Sequence, residues 1–107
     1  MARNIGSASI DHALIPHPTE SAQKLTVSTS EVQFTAWAET VEAVLWSLEG
    51  ADVRWTTDGV TPVAGTTGIK LVDGDTGMFG LRTANAAKFV RNAAADATIH
   101  AYPFSKR

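Results

Sequence analysis

The chain contains no cysteine. That absence excludes a disulfide scaffold, a thiolate nucleophile and a cysteine-built metal cage, and it fits assembly in a reducing cytoplasm. An excess of charge of one sign is missing too: 9 Lys and Arg stand against 11 Asp and Glu, for a formal net charge of -2. These charges are spread along the chain, so there is no electrostatic footprint for a nucleic-acid backbone or an anionic membrane, and neither is expected as a partner. No apolar run approaches the roughly 18 residues of a membrane-spanning helix, and the first 18 residues lack the apolar core of a signal peptide. A soluble protein without a visible export signal is expected. Also scarce are the Glu, Lys and Leu that fill amphipathic helices, whereas small and β-branched residues dominate. That balance favours an all-β fold.

With 107 residues the chain has room for one domain and one modest core. Residues 1–23 read as an extended N-terminal arm. Ile5, Ile10, Leu14 and Ile15 stand isolated among polar residues, and Pro16 and Pro18 forbid a continuous helix. Large aliphatic side chains on such an arm are candidates for docking onto a partner, or back onto the chain's own domain.

Residues 24–107 read as the folded domain, made of short strands between turn signals. Leu25, Val27 and Thr29 alternate, as do Val32, Phe34 and Ala36, with Gln33, Thr35 and Trp37 on the opposite side. Residues 41–48 satisfy both periods, but the alternation of Val44, Trp46 and Leu48 favours a strand. The Glu49-Gly50-Ala51-Asp52 turn then predicts a tight hairpin into Val53-Arg54-Trp55-Thr56-Thr57. Asp58-Gly59 ends that strand, since Gly tolerates positive φ and Asp can bond its own backbone, and Pro62 takes the chain out of the sheet. Further strands are expected at 69–72, 78–83, 88–92 and 97–104, with a possible helical turn at 84–87 and with Ile99 and Ala101 inward. About seven or eight short strands at this spacing predict a β-sandwich, with a small closed barrel as the competing form.

Motifs that would carry chemistry are scarce. His12, His17 and His100 have no second ligand at metal-binding spacing, and no Gly-x-Ser-x-Gly elbow places a nucleophile. Asp73-Gly74-Asp75 reads as a turn, because the further oxygen ligands of a calcium loop do not follow it. The glycines do not form a phosphate-cradling spacing. No catalytic residue, metal or cofactor is therefore expected. Trp46 and Trp55 share faces with Val44, Leu48 and Val53 and belong to the core, whereas Trp37, with Tyr102, is the candidate surface ring for stacking on a sugar or anchoring an interface.

The run Val53-Arg54-Trp55-Thr56-Thr57-Asp58-Gly59-Val60-Thr61-Pro62-Val63-Ala64, followed by Gly68-Ile69-Lys70-Leu71 and Gly74-Asp75, resembles a pattern in small virion proteins of tailed bacteriophages. In that pattern a strand ending in Thr-x-Asp-Gly-x-x-Pro-Thr precedes a Gly-x-x-Leu strand. The similarity continues through Gly80-Leu81, Ala87-Lys88-Phe89-Val90-Arg91 and residues 97–104, and it leaves the arm outside. Val63 departs from it, since Thr is usual after the proline. The same strand and turn also resemble the C-terminal sandwich domain of some bacterial glycosidases.

The phage resemblance implies an immunoglobulin-like β-sandwich that is structural and not enzymatic: a capsid decoration or cement protein of the virion, assembled in the host cytoplasm. Its implied partners are the major capsid protein, other virion subunits and further copies of itself. A head-tail connector or tail protein, and a carbohydrate-binding or host-adhesion module, are the alternatives.

Overall fold

The computed structural model describes residues 14–106. They form β1 (Leu14–Pro16), β2 (Gln23–Val27), β3 (Ala43–Glu49), β4 (Val53–Thr56), β5 (Ile69–Leu71), β6 (Thr76–Gly80), the single helix α1 (Leu81–Ala86), β7 (Lys88–Arg91) and β8 (Ala97–Lys106). The strands make two antiparallel sheets packed as a β-sandwich. In the larger sheet β8 pairs with β1 and β2 along one side and with β3 along the other, and β3 pairs with β6. The smaller sheet has the order β5-β4-β7.

The ten residues of β8 organise the larger sheet. Ala97, Ile99, Ala101, Pro103 and Ser105 are buried, while Thr98, His100, Tyr102, Phe104 and Lys106 alternate on the outer face. A proline inside a paired strand ordinarily removes a ladder bond. Here the Pro103 carbonyl points toward the β1 side, where it accepts the His17 N–H at 3.0 Å. In an antiparallel strand the N–H and C=O of one residue point the same way, so the missing donor faces the linker between β1 and β2 and β3 loses nothing.

The strand expected within 41–48 forms over Ala43–Glu49, and Val44, Trp46 and Leu48 are its buried side. The predicted hairpin after it does not form. The turn at Gly50 (φ 101°) instead carries the chain from β3 in the larger sheet to β4 in the smaller one. Each strand has one apolar stripe, and stripes facing each other across the sandwich bury more than stripes lying side by side. Acidic side chains hold this crossing: Gly50 N–H donates to Asp73 Oδ1 (3.0 Å) and Asp73 N–H to Asp52 Oδ1 (2.8 Å).

The strand expected across 32–37 is reduced to one bridge between Val32 and Phe89. Side chains replace the ladder there. Gln23 bonds both backbone groups of Thr35 at 2.9 Å, and Asn85 accepts the Trp37 N–H at 2.8 Å and donates to the Trp37 carbonyl at 3.3 Å. Released from period two, Phe34 and Trp37 both turn inward. The strand expected at 78–83 stops at Gly80, and α1 buries Ala84 beneath it.

Aromatic rings hold the two sheets together. Phe79 of β6 meets Trp46 (5.3 Å between ring centroids), Trp55 (5.0 Å) and Phe89 (6.4 Å), and Phe34 extends the cluster from Phe89 (5.6 Å) to Trp37 (5.9 Å). Gly77 makes room for this cluster, because it lies directly opposite Trp46 in the register and a Cβ there would sit 2.8 Å from Trp46 Cζ2. Gly77→Ala is therefore expected to destabilise the fold by about 1–3 kcal/mol through overpacking. Denaturant unfolding of the two proteins checks this, and an unchanged midpoint would show that Trp46 is free to move aside.

Candidate functional site

The outer face of the larger sheet is built row by row from the strand register. One row crosses three strands as Met78 (β6), Leu45 (β3) and Tyr102 (β8), directly opposite one another. Their exposures are 49%, 39% and 53%. The next row runs Gly80, Ala43, Phe104 and Pro16, and a polar row of Thr76, Ser47, His100 and Lys24 lies on the other side. A sheet with one wet face normally carries polar residues at such positions. Here Tyr102, Leu45, Pro16, Ala22 and Phe104 border a shallow groove. Contiguous apolar surface of this kind marks an interaction site more often than a solvated face does.

Paired charges flank the apolar rows. His100 Nε2 lies 2.9 Å from Glu49 Oε1, and Lys106 Nζ lies 4.0 Å from Glu42 Oε1. His17 secures the groove's far side. Its Nδ1 accepts the backbone N–H groups of Thr19 (3.1 Å) and Glu20 (2.9 Å), which assigns the ring proton to Nε2, the donor to Thr40 Oγ1 at 2.9 Å.

Of the residues singled out from the sequence, Tyr102 is exposed and sits in this surface. Leu14 and Ile15 do not hang free: they are half-buried in β1, opposite Lys106 and Ser105. Ile5 and Ile10 lie outside the described residues. Trp37 is a correction. It is only 4% exposed, because the hydrogen bonds from Asn85 break the alternation that would have turned it outward. The exposed rings of a sugar platform are thus reduced to Tyr102. Leu45 and Met78 were not singled out, although Leu45 falls opposite Val44 and Trp46 in the alternation and that signal was available.

The Asp58-Gly59 turn has the expected local chemistry. Val60 N–H donates to Asp58 Oδ1 at 3.1 Å, Gly59 has φ 87°, and the Thr56 hydroxyl donates to the Val60 carbonyl. The loop beyond is fastened by Glu31, whose Oε1 accepts the Thr61 hydroxyl at 2.6 Å and whose Oε2 lies 3.4 Å from Lys88 Nζ. The oxygens of Asp73 and Asp75 are engaged by Gly50 N–H and Val72 N–H, which makes that segment a braced turn. Among the described residues no three His, Cys, Asp or Glu side chains are placed to share a metal ion. Comparison with protein-family models, curated proteins and solved structures finds no match to this chain.

Two outcomes follow from these positions. Trp37→Ala is expected to cost about 3–5 kcal/mol of folding stability, as truncation of a buried indole does, and equilibrium unfolding reads the loss; wild-type stability would return Trp37 to the surface. The second concerns pH. The Thr61 hydroxyl first, and the Lys88 ammonium after it, hold the Glu31 carboxyl below the ordinary carboxylate range. A depressed folded-state pKa contributes stability that is present above the unfolded value and lost as pH falls through the folded one. Glu31→Gln is accordingly expected to be less stable than wild type near neutrality, with the gap closing in acid. A gap that persists well below the carboxylate range would contradict this.

Proposed function

We propose that this chain is a non-enzymatic structural protein of a tailed-phage particle, a decoration or cement subunit that stabilises the capsid by binding the major capsid protein and neighbouring copies of itself. The observation that carries the reading is the exposed Met78-Leu45-Tyr102 row on a rigid sandwich. Together with the phage-type resemblance of residues 53–75, an apolar face presented by backbone-paired strands suits a block that docks by shape and burial. Each such contact is small. Repetition over many subunits makes it effective, since linked binding events gain from the high local concentration of the next site. A head-tail connector or a tail subunit would use the same face in the same way.

The experiment is a competition for incorporation. Wild type and Leu45→Asp are expressed together during particle assembly, and purified particles are weighed by mass spectrometry. Wild type is expected in the particles and the variant depleted. Its folding should be close to wild type, because Leu45 is already 39% exposed. Equal incorporation of a folded Leu45→Asp chain, or absence of the wild type from particles, would overturn the proposal.

A further inference from the structure

We infer that the Met78-Leu45-Tyr102 face receives residues 1–13 of a second copy of this chain. The inference rests on the structural reading above and gives that surface an occupant.

The first support is where the chain leaves the described fold. β1 is antiparallel to β8, with Pro16 opposite Phe104 and Leu14 opposite Lys106. Followed backwards from Pro16 to Leu14, the chain therefore runs away from Tyr102 and reaches Lys106, the last residue of β8. To reach its own apolar row the segment would have to reverse. To reach a neighbour's, it can run straight on.

Length and chemistry also fit. Thirteen residues in extended form reach up to about 43 Å at roughly 3.3 Å each, whereas a row crossing three strands spans two inter-strand gaps, about 10 Å. The segment has ample length to bridge to a neighbour and still cover the row. Ile5 and Ile10 supply its large apolar groups, and Gly6-Ser7-Ala8-Ser9 between them are small enough for close approach to a sheet face. The other residues of the segment are mostly small or polar, and its charged side chains, Arg3 and Asp11, balance, so the two isoleucines are its apolar contribution to the row.

The absence of native cysteine makes the test direct. Full-length chains carrying Ile10→Cys are mixed with chains carrying Leu45→Cys, and separately with chains carrying Met78→Cys or Val63→Cys. Val63 serves as the control, being 49% exposed in the loop after β4 and outside the larger sheet. Under mild oxidation the mixed disulfide with position 45 or 78 is expected to form at least about tenfold faster than that with position 63, the advantage of a held contact over random collision. Equal rates at all three positions would overturn the inference. So would a bond that forms only within single chains of the doubly substituted Ile10→Cys, Leu45→Cys protein, which would place the segment on its own face. The particle experiment fails separately: incorporation without the Ile10 to Leu45 bond removes this occupant and leaves the structural role standing, whereas the bond without incorporation keeps the self-association and removes the role.

Discussion

Contact between Phe79 and Phe89 is the constraint on which the rest of the sandwich depends. One ring comes from the edge of the larger sheet and the other from the smaller sheet; Trp46, Trp55 and Phe34 each touch one or both, and Trp37 joins through Phe34. Ring burial at this junction dominates hydrogen bonding. The indole nitrogens of Trp37, Trp46 and Trp55 are all buried without a partner. An unmade bond costs about 1–3 kcal/mol, whereas an aromatic side chain that buries 150–250 Å² gains about 4–6 kcal/mol at 25 cal/mol per Å². The balance favours packing the ring even with its N–H unsatisfied. It also explains the glycine at 77, where any side chain would displace Trp46 from the stack.

Polar side chains supply what the short strands cannot. Gln23 satisfies the backbone of Thr35 and Asn85 that of Trp37, Asp52 and Asp73 brace the crossing between sheets, and Asp75 braces the turn before β6. These bonds let the chain leave a ladder without burying unpaired backbone groups, which would be costly in a core this small. They also spread the fixed points of the fold over residues far apart in sequence. The outer face of the larger sheet is left with a flat, rigid presentation of Met78, Leu45 and Tyr102, in which side-chain spacing is set by strand spacing and not by loop conformation.

The legible parts of the fold were those governed by local periodicity. Alternation located Val44, Trp46 and Leu48, and Ile99 and Ala101, on buried faces, and Asp58-Gly59 and Asp73-Gly74-Asp75 were read as turns from their own side-chain chemistry. Misreadings came where a distant side chain intervened. Alternation over 32–37 points Trp37 outward, yet Asn85, 48 residues away, captures its backbone and rotates it into the core. Of the interaction surface, Tyr102 and the outward side of Leu45 are legible in the sequence, but the row that aligns Met78, Leu45 and Tyr102 exists only once the register of three strands is known.

By itself, then, the sequence determined the all-β class, the strand periods, the turn chemistry and the exclusion of disulfide or thiolate chemistry, because each depends on residue type or on neighbours within a few positions. Only the tertiary structure decided that the Glu49-Asp52 turn joins two sheets instead of closing a hairpin, that β1 pairs with the end of β8, and that three apolar side chains align on an outer face. The physical reason is the same in each case. Alternation says which side of a strand is apolar, but the partner that covers that side, or leaves it open, is chosen by the free energy of burying all such sides at once.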